Sequence, residues 1–578
     1  MPTILSQLDA AFRNAIRAAF GVDAEPILVP SQNEKFGDYQ SNAAMGLAKQ
    51  LGQQAGQKAN PRQVAEQIKA KLDLGGMASE ISIAGPGFIN VRLNPAWLAK
   101  QLQAAAAEPR LGIPLAAPPQ TIVVDLSGPN VAKELHVGHL RSTIIGDAIA
   151  RVLEFLGHRV IRQNHLGDWG TQFGMLITHL RSTTGGGQDA HIEDLDRFYK
   201  EARKRFDAEP DFADTARATV VKLQGGGEEE LALWRRIVEE TRRHFQPLYA
   251  RLNVKLTADD ERGESFYNPM LPAVVADLKQ AGIATESEGA TVAFVEGHSN
   301  PLIIEKSGGG FLYGTTDLAA VRYRVQTLRA DRVVYVVGAP QGQHFAQVFA
   351  TARRAGWAGG ASLEHAPFGS VLGEDGKMFK ARSGESVKLV DLLDEAEQRA
   401  LKLVTDKSPD LPEEQRRAIA RAVGVGAIKY ADLSKDRIGD YTFSFDQMLS
   451  MDGNTAPYLQ YAHARIKSIF RKAGLASASA ATVTAAALKL DAPQELALAK
   501  HVLRFGDVLE QVARELKPHH LTNYLYELAT RFSAFYENCP VLQSEEPTRS
   551  SRLLLSDATA RSLATGLELL GIEHPEQM

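Results

Sequence analysis

Two histidines separated by a Val-Gly pair form the most informative short segment of this 578-residue chain. His136 and His139 stand in "HVGH", between a turn-rich loop that follows a β-branched run and a long amphipathic pattern. After a strand of a parallel sheet, the next helix points free N–H groups and its positive dipole end toward a ligand. Gly138 leaves room for a base or ribose, and the imidazoles add donors for phosphate oxygens. The segment predicts a nucleoside-triphosphate site, although the chain contains no GxxxxGK[ST] sequence.

Two other interpretations of HVGH compete with this one. Zinc proteases place His-Glu-x-x-His on a regular helix, with the Glu as base, whereas here Gly138 interrupts the helical pattern and no Glu lies between the histidines. This spacing disfavours a metal site. Alternatively, His136 and His139 pack against the helix or cap it, and for an isolated pair we would prefer that interpretation. The position after a strand favours the nucleotide site.

A second basic segment, "LGEDGKMFKARSGE", carries Lys377 and Lys380, with Arg382 close by and glycines around them. By itself such a loop is most often a solvated hairpin. On the same domain as HVGH, it can close over a pyrophosphate leaving group. Its ammonium groups would then neutralise the charge that grows as the α–β phosphate bond breaks. We therefore expect both lysines to act in catalysis.

The elements that must position these groups are a strand, a helix and a second strand. "TIVVDL" predicts a buried strand, and "RVIRQN" predicts another about 40 residues later. The helix between them has one apolar face and ends near Gly157; that face comprises Leu140, Ile144, Ala148, Val152 and Leu156. A strand, helix and strand within this length form a βαβ unit and therefore a parallel sheet.

The rest of the chain adds further domains around this sheet. "DRVVYVVGAP" predicts another buried strand, and "HFAQVFATARRAG" predicts the helix after it. Between the two βαβ regions, residues 181–290 are interpreted as a helical insertion. We predict an N-terminal α+β module (1–115), an α/β parallel-sheet domain (116–395), a helical connector (396–450) and a C-terminal all-α domain (451–578).

Composition narrows the class of protein. Lys and Arg number 65 against 69 Asp and Glu, so the whole chain is no basic coat for nucleic acid, although local basic faces can still bind RNA. A single cysteine, Cys539, excludes an intramolecular disulfide and a Cys-based structural zinc site. No run approaches the roughly 20 apolar residues that cross a bilayer. We expect a cytoplasmic protein with no membrane contact.

HVGH resembles the HIGH motif and "KMFKARS" a divergent KMSKS loop, the two hallmarks of class I aminoacyl-tRNA synthetases. "SGPNVAKELHVGHLRSTIIGDAIARVLEFLGHRV" and "NHLGDWGTQFG" resemble the arginyl-tRNA synthetase family. The similarity covers essentially the whole chain, including "EKFGDYQSNAA", "FLYGTTDLAA", "GNTAPYLQYAHAR" and "LGIEHPEQM". It implies a Rossmann-like catalytic domain, an N-terminal module that contacts tRNA and a C-terminal domain that binds the anticodon.

The resemblance implies a two-step ligase reaction that uses ATP with Mg²⁺, L-arginine and tRNA(Arg). The arginine carboxylate attacks the α-phosphorus, and a terminal ribose hydroxyl of the tRNA then attacks the activated carbonyl. His136, Gly138, His139 and Lys380 would bind ATP, with no metal held by protein side chains alone. The resemblance also implies that activation requires bound tRNA and that the protein is a monomer.

The basic loop departs from the family pattern. Phe379 and Ala381 replace the two serines of Lys-Met-Ser-Lys-Ser. Lys133 in "PNVAKE" can share the phosphate charge. The division of catalysis among Lys133, Lys377 and Lys380 is therefore left open.

Arginine presents a planar, permanently charged fork of N–H donors, so a selective pocket needs carboxylates set edge-on to it. The resemblance implies that Asp125 and Asp317 bind the guanidinium with help from Tyr313, while Asn130 and Gln341 hold the α-amino group. From the residues alone, Asp317 could instead cap the helix "LAAVRYR", Asp125 could be a strand-end turn residue, and Gln341 a solvated loop residue. Such a pocket rejects analogues without the hydrogen-bonding groups, so no editing domain is expected.

Aromatic and arginine planes on the C-terminal helices could stack on unpaired RNA bases. The candidates are Tyr458, Tyr461, Arg465, Phe532, Phe535 and Tyr536. An aromatic stripe at helical spacing is usually core, which is the preferred interpretation for Phe532 and Phe535. The resemblance favours RNA contact for Tyr461 and Tyr536. In the N-terminal module, Phe88 and Asn90 of "GPGFIN" are candidates for tRNA contact, with a turn-and-core role equally possible.

Three other functions are compatible with parts of this pattern. A class I synthetase of another specificity would lack the two acids facing the substrate. An RNA-binding protein with an inactive site would not need His136, His139, Lys377 and Lys380 intact. A nucleotidyltransferase for a small cofactor would have no use for an RNA-binding helical domain. We expect an arginine–tRNA ligase.

Overall fold

The computed structural model describes residues 2–31, 33–55, 58–184, 192–307, 310–379, 387–475 and 488–578. Within them, helices α1 to α21 are, in chain order, Ile4–Phe20, Ala43–Ala55, Pro61–Lys71, Pro95–Ala107, Val137–Phe155, Gln172–Thr184, Leu195–Ala208, Pro210–Gln224, Glu228–Arg251, Glu264–Tyr267, Leu271–Gln280, Tyr313–Arg322, Gly342–Arg354, Leu389–Lys407, Glu413–Leu433, Phe445–Met448, Ala456–Lys472, Pro493–Leu503, Phe505–Glu515, His519–Asn538 and Thr548–Leu569. Strands β1 to β13 are Leu28–Pro30, Tyr39–Ser41, Ala78–Ala84, Phe88–Leu93, Thr121–Asp125, Arg159–Gln163, Ala284–Ser287, Ala290–Ala293, Leu302–Glu305, Arg332–Tyr335, Ser362–His365, Val371–Leu372 and Tyr441–Thr442.

The central sheet has the order β11-β10-β5-β6, and all its strands are parallel. Helix α5 connects β5 to β6, and Gly157 follows it with a φ of 92°, a left-handed conformation suited to glycine after a helix. The predicted βαβ unit and fold class are confirmed. Because the strands are parallel and in register, Asp125, Gln163 and Tyr335 end side by side at one edge of the sheet.

The N-terminal module is an antiparallel sheet, β1-β2-β4-β3, with helices packed on it. Strands β3 and β4 form an antiparallel pair in this sheet. Helix α1 is amphipathic and buries Ile4, Leu8, Phe12, Ala15 and Ile16. Thr3 caps this helix by accepting a hydrogen bond from the Ser6 amide.

The region interpreted as a helical insertion, 181–290, contains the end of α6 and all of α7 to α11, and α6 to α9 share a separate apolar core. A small antiparallel sheet, β7-β8-β9, then follows, and the sequence analysis did not predict it. Its first two strands have only four residues each, too few to show a clear alternation. The turn between them has positive φ at Glu288 (51°) and Gly289 (78°), as a two-residue hairpin requires. The pair Glu-Gly was therefore the available local signal.

Helices α14 to α21 form the C-terminal part of the chain, and one continuous apolar cluster joins them to α5 and to the N-terminal module. Buried cations reinforce this junction. The Lys429 ammonium donates to the carbonyls of Leu252 (2.7 Å) and Gly571 (2.8 Å), and the Arg151 guanidinium donates to that of Glu568 (3.2 Å). In the part of the chain that the structure describes, no helix combines the length and apolarity needed to cross a bilayer.

Candidate active site

The HVGH segment lies at the start of α5, beyond the carboxyl end of β5. His136 is the N-cap residue, and its Nδ1 accepts a hydrogen bond from the Gly138 amide at 3.0 Å. The His139 Nδ1 accepts from the His136 amide at 3.2 Å, and the two rings lie 3.9 Å apart. The capping alternative is therefore correct in part, because the histidines do close the helix end. A Cβ at Gly138 would lie 2.8 Å from the His136 ring, so glycine preserves this arrangement.

The protonation state of these rings follows from their contacts. Burial, together with the neighbouring His136 and Lys133, lowers the pKa of His139 to about 3. Burial also lowers the pKa of His136. Both rings are therefore neutral near pH 7, and since each Nδ1 accepts an amide N–H, the ring proton is on Nε2. Each imidazole can then donate one hydrogen bond to an anion.

Two of the three predicted lysines belong to described segments. The Lys133 ammonium lies 4.6 Å from the Tyr199 ring centre, and its charge acts on both histidines. Lys377 is exposed in the hairpin turn that follows β12, where its carbonyl accepts from the Gly373 amide at 2.7 Å. Lys380 lies outside the described residues, and so does Arg382.

Both described flanks of the basic loop are fixed to the domain. On one side, the Phe379 amide donates to the Val371 carbonyl at 3.0 Å, and its ring packs 4.8 Å from Phe443. On the other side, the Val137 amide of the HVGH segment donates to the Val387 carbonyl at 3.0 Å. His136 also pairs with Lys388 in an antiparallel bridge. The histidine pair is therefore adjacent in the fold to Val387 and Lys388, which follow the basic loop in sequence.

The expected substrate carboxylate Asp125 already has a partner. Its Oδ2 lies 2.8 Å from Nη2 of Arg324, whose side chain is fully buried. The Arg324 Nε also donates to Gln163 at 2.6 Å, and its guanidinium lies over the Tyr335 ring at 4.9 Å. Burial by itself would lower the pKa of Arg324, but the charge of Asp125 and of the neighbouring tyrosines raises it overall. Arg324 thus holds three strand ends together, and its contact with Asp125 is made to one carboxylate oxygen, Oδ2.

Asp317 lies in the second turn of α12, so it does not cap that helix; Leu312 occupies the cap position. Its Oδ2 is 2.6 Å from Nε2 of His344, on the first turn of α13. The ring of Tyr313, one turn before Asp317, is exposed and lies 4.8 Å from the His344 ring. Asp317 and Tyr313 therefore share one helix face beside His344.

The structure adds Glu264, which the sequence analysis missed. Burial, together with the charges of Asp168 and Asp317, raises the pKa of Glu264 to about 7. Asp168 comes from the quoted "NHLGDWGTQFG" segment and accepts two hydrogen bonds from Ser265, at 2.8 Å from its amide and 2.6 Å from its hydroxyl. A raised pKa caused by burial and nearby acids is typical of functional carboxyls. No local pattern in "ERGESFY" marks Glu264, because its neighbours come from distant segments.

The two residues expected at the α-amino group lie on loops at this sheet edge. Asn130 is exposed and pairs in a parallel bridge with Gly167, close to the loop that carries Asp168. Gln341 is exposed at the start of α13, after β10. Both side chains are therefore accessible, and neither is part of the core.

The aromatic candidates of the C-terminal domain divide into two groups. Phe532 and Phe535 are fully buried, as the core interpretation predicted. Tyr461, Arg465 and Tyr536 line a cavity of about 450 Å³ together with Arg471 and Lys472. The Arg465 guanidinium lies 4.4 Å over the Tyr536 ring, and Tyr461 is 46% exposed. Tyr458 packs instead against Tyr526, at 5.8 Å between ring centres.

The N-terminal candidates differ from each other in exposure. Phe88 is partly exposed at the start of β4, beside the Gly85 turn. Asn90 is only 2% exposed in the middle of the sheet. Its buried amide offers no surface to an RNA base, so we leave Asn90 out of the interface considered below.

Three or more His, Cys, Asp or Glu side chains arranged as metal ligands are not found among the described residues. The groups beside HVGH are N–H donors and an ammonium, a donor set that suits phosphate oxygens. Such a site fits a Mg²⁺ ion that is coordinated mainly by the phosphates of ATP and by water.

Comparisons with known proteins agree with this geometry. Residues 101–445 match the family described as tRNA synthetases class I (R), catalytic domain; residues 6–93 match the arginyl tRNA synthetase N terminal domain, and residues 459–578 the DALR anticodon binding domain. An arginine–tRNA ligase of Laribacter hongkongensis is 52% identical, with 100% of both chains covered. Another, of Cellvibrio japonicus, is also 52% identical, over 98% of both.

Solved structures give the same result. The crystal structure of an arginyl-tRNA synthetase from Plasmodium falciparum matches with a TM-score of 0.88 and 33% identity, over 100% of both chains. That of Thermus thermophilus matches with a TM-score of 0.83 and 28% identity, over 99% of both. Full-length identity, the three domain matches and the layout of the sheet edge together place the chain in the arginyl-tRNA synthetase family of class I aminoacyl-tRNA synthetases.

Proposed function

We propose that this chain is an arginine–tRNA ligase, which activates L-arginine with ATP and transfers it to the 3′ end of tRNA(Arg). The observation that carries the proposal is the pair of carboxyl groups, Glu264 and Asp317, at the sheet edge. They are close enough for the charge of Asp317 to raise the pKa of Glu264. A cationic substrate would relieve this repulsion, and a guanidinium fork can meet two carboxylates at once.

In this proposal Asp317 and Glu264 bind the guanidinium, and the exposed Tyr313 ring covers it. The His344 contact at 2.6 Å orients the Asp317 carboxylate. Asn130 and Gln341, on the two neighbouring loops, hold the α-amino group. Asp125 lies beneath these residues in this proposal, and its ion pair with Arg324 stabilises the base of the arginine pocket.

The neutral histidines bind the triphosphate in this proposal. His136 and His139 would donate their Nε2–H groups to phosphate oxygens, Gly138 would admit the nucleotide, and α5 would add the positive end of its dipole. Lys133, Lys377 and Lys380 would neutralise the leaving pyrophosphate. Mg²⁺, bound with ATP, would supply further positive charge on the phosphates. The arginine carboxylate is then held in line with the α-phosphorus, and no covalent enzyme intermediate is needed.

The tRNA would contact the C-terminal cavity through Tyr461, Tyr536 and Arg465. Their partly exposed rings and guanidinium planes suit unstacked bases. Tyr458 would support this surface through its contact with Tyr526. Phe88 is the remaining candidate contact on the N-terminal module. We further propose that the chain acts in the cytoplasm as a monomer, as its family implies.

The test is arginine-dependent exchange of pyrophosphate into ATP, measured with and without tRNA(Arg). We expect exchange with arginine only, and only in the presence of tRNA. Asp317→Asn should raise the arginine KM roughly ten- to a hundredfold, since a charge-assisted hydrogen bond is lost, and leave the ATP KM near normal. Asp446→Asn, on a carboxylate whose side chain is 94% exposed, is the control.

Three results would contradict this assignment. Exchange with another amino acid would refute the specificity for arginine. No exchange in either condition would favour an RNA-binding protein without synthetase activity. Equal loss of arginine and ATP affinity in Asp317→Asn would show that Asp317 has a structural role.

A further inference from the structure

A cleft of about 270 Å³ lies between the N-terminal module and the C-terminal helices, and the functions described above do not use it. One wall is lined by Pro30, Ser31, Gly37, Asp38, Tyr39, Arg92 and Leu93; the other by Pro493, Leu496, Ala497, Lys500, His501, Arg504 and Arg531. We call it the interdomain cleft. Helix α18 and its C-terminal cap supply most of the second wall, and α20 supplies Arg531.

The segment "EKFGDYQSNAA" builds the first wall. Gly37 has a φ of 88°, and a Cβ there would lie 2.6 Å from the Val91 carbonyl oxygen, so only glycine fits. The Asp38 carboxylate accepts the Leu93 amide at 2.7 Å and pairs with Lys500 across the cleft at 2.6 Å. This segment therefore sets the width of the cleft and ties its two walls together.

The cleft is cationic, although the chain as a whole carries a net charge of −4. Its lining includes Arg92, Lys500, Arg504 and Arg531, against the single carboxylate of Asp38. That carboxylate is already paired with Lys500. Arg92 is paired with Glu80 at 3.5 Å, so Arg504 and Arg531 are the cations of this lining to consider for an anion.

Two of these cations lack partners in the described part of the chain. The Arg504 and Arg531 side chains make no hydrogen bond or ion pair there, and the Arg531 Nε is buried without an acceptor. Both guanidinium groups lie close enough to His501 to lower its pKa, after the larger effect of burial. The charge of Arg504 acts on the Asp507 carboxyl, which accepts the Leu5 amide at 3.3 Å.

A buried polar group also faces this region. Tyr39 is 3% exposed, and its hydroxyl has no hydrogen-bond partner among the described residues. The charge of Arg504 acts on this hydroxyl. A buried hydroxyl and a buried guanidinium N–H without acceptors are costly unless a ligand supplies the acceptor.

We infer that the interdomain cleft binds a phosphodiester group of the tRNA backbone, with Arg504 and Arg531 as its ligands. Guanidinium forks match phosphate oxygens in a bidentate geometry, and unpaired arginines in a concave surface are typical of nucleic-acid contacts. Arg531 lies on α20, which also carries Tyr536 of the C-terminal cavity, so one RNA can reach both. This inference rests on the proposed function, since that function makes tRNA the substrate.

The test is direct binding of a tRNA(Arg) transcript to the full chain at several salt concentrations. Arg504→Gln and Arg531→Gln should each reduce the slope of log Kd against log salt by about 0.7 to 0.9, because each removes one phosphate contact. The double variant should bind roughly tenfold more weakly at about 0.1 M salt. Arg531→Lys keeps the charge and should recover most of the slope.

Arg514→Gln is the matched control, because this substitution removes the same charge outside the cleft. Arg514 lies on the adjacent α19, and its side chain is 68% exposed. It should leave the slope unchanged. The double variant should unfold at the same urea concentration as the unmodified chain, which shows that the fold is intact. Binding is measured without arginine or ATP, so a failure of the proposed activity would be seen separately.

Two outcomes would overturn the inference. In the first, the double variant retains the original tRNA affinity and salt slope. In the second, Arg514→Gln reduces the salt slope as much as Arg504→Gln or Arg531→Gln does. Inorganic phosphate tests whether the cleft binds a free phosphorylated molecule rather than the phosphates of tRNA. If phosphate protects the unmodified chain, but not the double variant, against thermal unfolding while tRNA affinity is equal in both, the cleft binds a free phosphorylated molecule instead.

Discussion

At the scale of single residues, His136 and His139 show that a structural and a chemical role can coincide. Their Nδ1 atoms close the start of α5, and this contact fixes the ring protons on Nε2. Burial keeps both rings neutral near pH 7. In the sequence analysis, helix capping and nucleotide binding were alternative interpretations of HVGH. The capping contacts leave the Nε2–H groups as donors, which a nucleotide site would need.

Glu264 gives the residue-scale prediction. Its pKa is raised to about 7, so the carboxyl gains its charge as the pH rises through that value. Arginine needs the ionised form, so its kcat/KM should rise by up to about tenfold per pH unit below pH 7 and level off above it. Glu264→Gln should remove this pH dependence and raise the arginine KM roughly ten- to a hundredfold.

Arginine kinetics between about pH 6 and about pH 8 measure this effect. Glu286→Gln, on an exposed carboxyl of β7, is the control and should retain the original profile. An unchanged profile in Glu264→Gln would show that another group titrates, and Glu264 would then have no place in the pocket.

At the scale of elements, α5 connects the catalytic edge to the C-terminal helices. In the second turn of this helix, the buried Arg141 pairs with Asp432 of α15 at 3.0 Å and donates to the Gly439 carbonyl at 3.1 Å. Asp432 is completely buried, and burial raises its pKa. The pair thus positions the helix whose first turn carries HVGH.

Breaking this pair on one side should be more harmful than replacing both partners. Arg141→Met should lower the free energy of unfolding by about 3–5 kcal/mol, because Asp432 would be left buried without its counter-charge. The double variant Arg141→Met, Asp432→Leu should recover much of that loss. Urea denaturation of the singles and the double variant gives the coupling energy.

The exposed pair of Arg417 and Glu413, with side chains 61% and 66% exposed, provides the control. Arg417→Met should change stability by less than about 1 kcal/mol. If the two losses at Arg141 and Asp432 are simply additive, the ion pair does not couple α5 to α15.

At the scale of the whole molecule, Lys429 joins three parts of the chain at one buried point. Its ammonium contacts the carbonyls of Leu252 and Gly571, which follow α9 and α21. Burial lowers its pKa to about 7. Between about pH 7 and its ordinary pKa near 10, the unfolded chain therefore binds a proton that the folded chain releases.

Stability should therefore rise with pH across that window. A lysine whose folded pKa lies below its unfolded pKa destabilises the fold at lower pH, and this penalty disappears as the unfolded lysine also loses its proton. Lys429→Met should flatten this rise, as measured by urea denaturation at about pH 7, 8 and 9. Lys435→Gln, at an exposed lysine, should keep the original slope; equal slopes in all three proteins would mean that Lys429 is not titrating there.

Local sequence patterns were sufficient to predict the fold class and the position of the HVGH segment. The apolar spacing from Leu140 to Leu156 and the β-branched run before Asp125 were enough to predict the βαβ unit, and the fold class is confirmed. HVGH was placed correctly at a helix start beyond a strand, since strand, turn and helix signals lie within one short stretch. The family resemblance is likewise confirmed by the full-length matches.

Tertiary structure alone decided which groups meet. Arg324 forms an ion pair with Asp125, the charge of Asp317 acts on Glu264, and Asn90 is buried. No local pattern distinguishes these residues from others of their type. The physical reason is that burial and charge pairing depend on segments far apart in the chain, which become neighbours only when the sheet closes and the helices pack. Sequence periodicity shows which face of a helix or strand is apolar, whereas the tertiary structure determines which residues pack against that face.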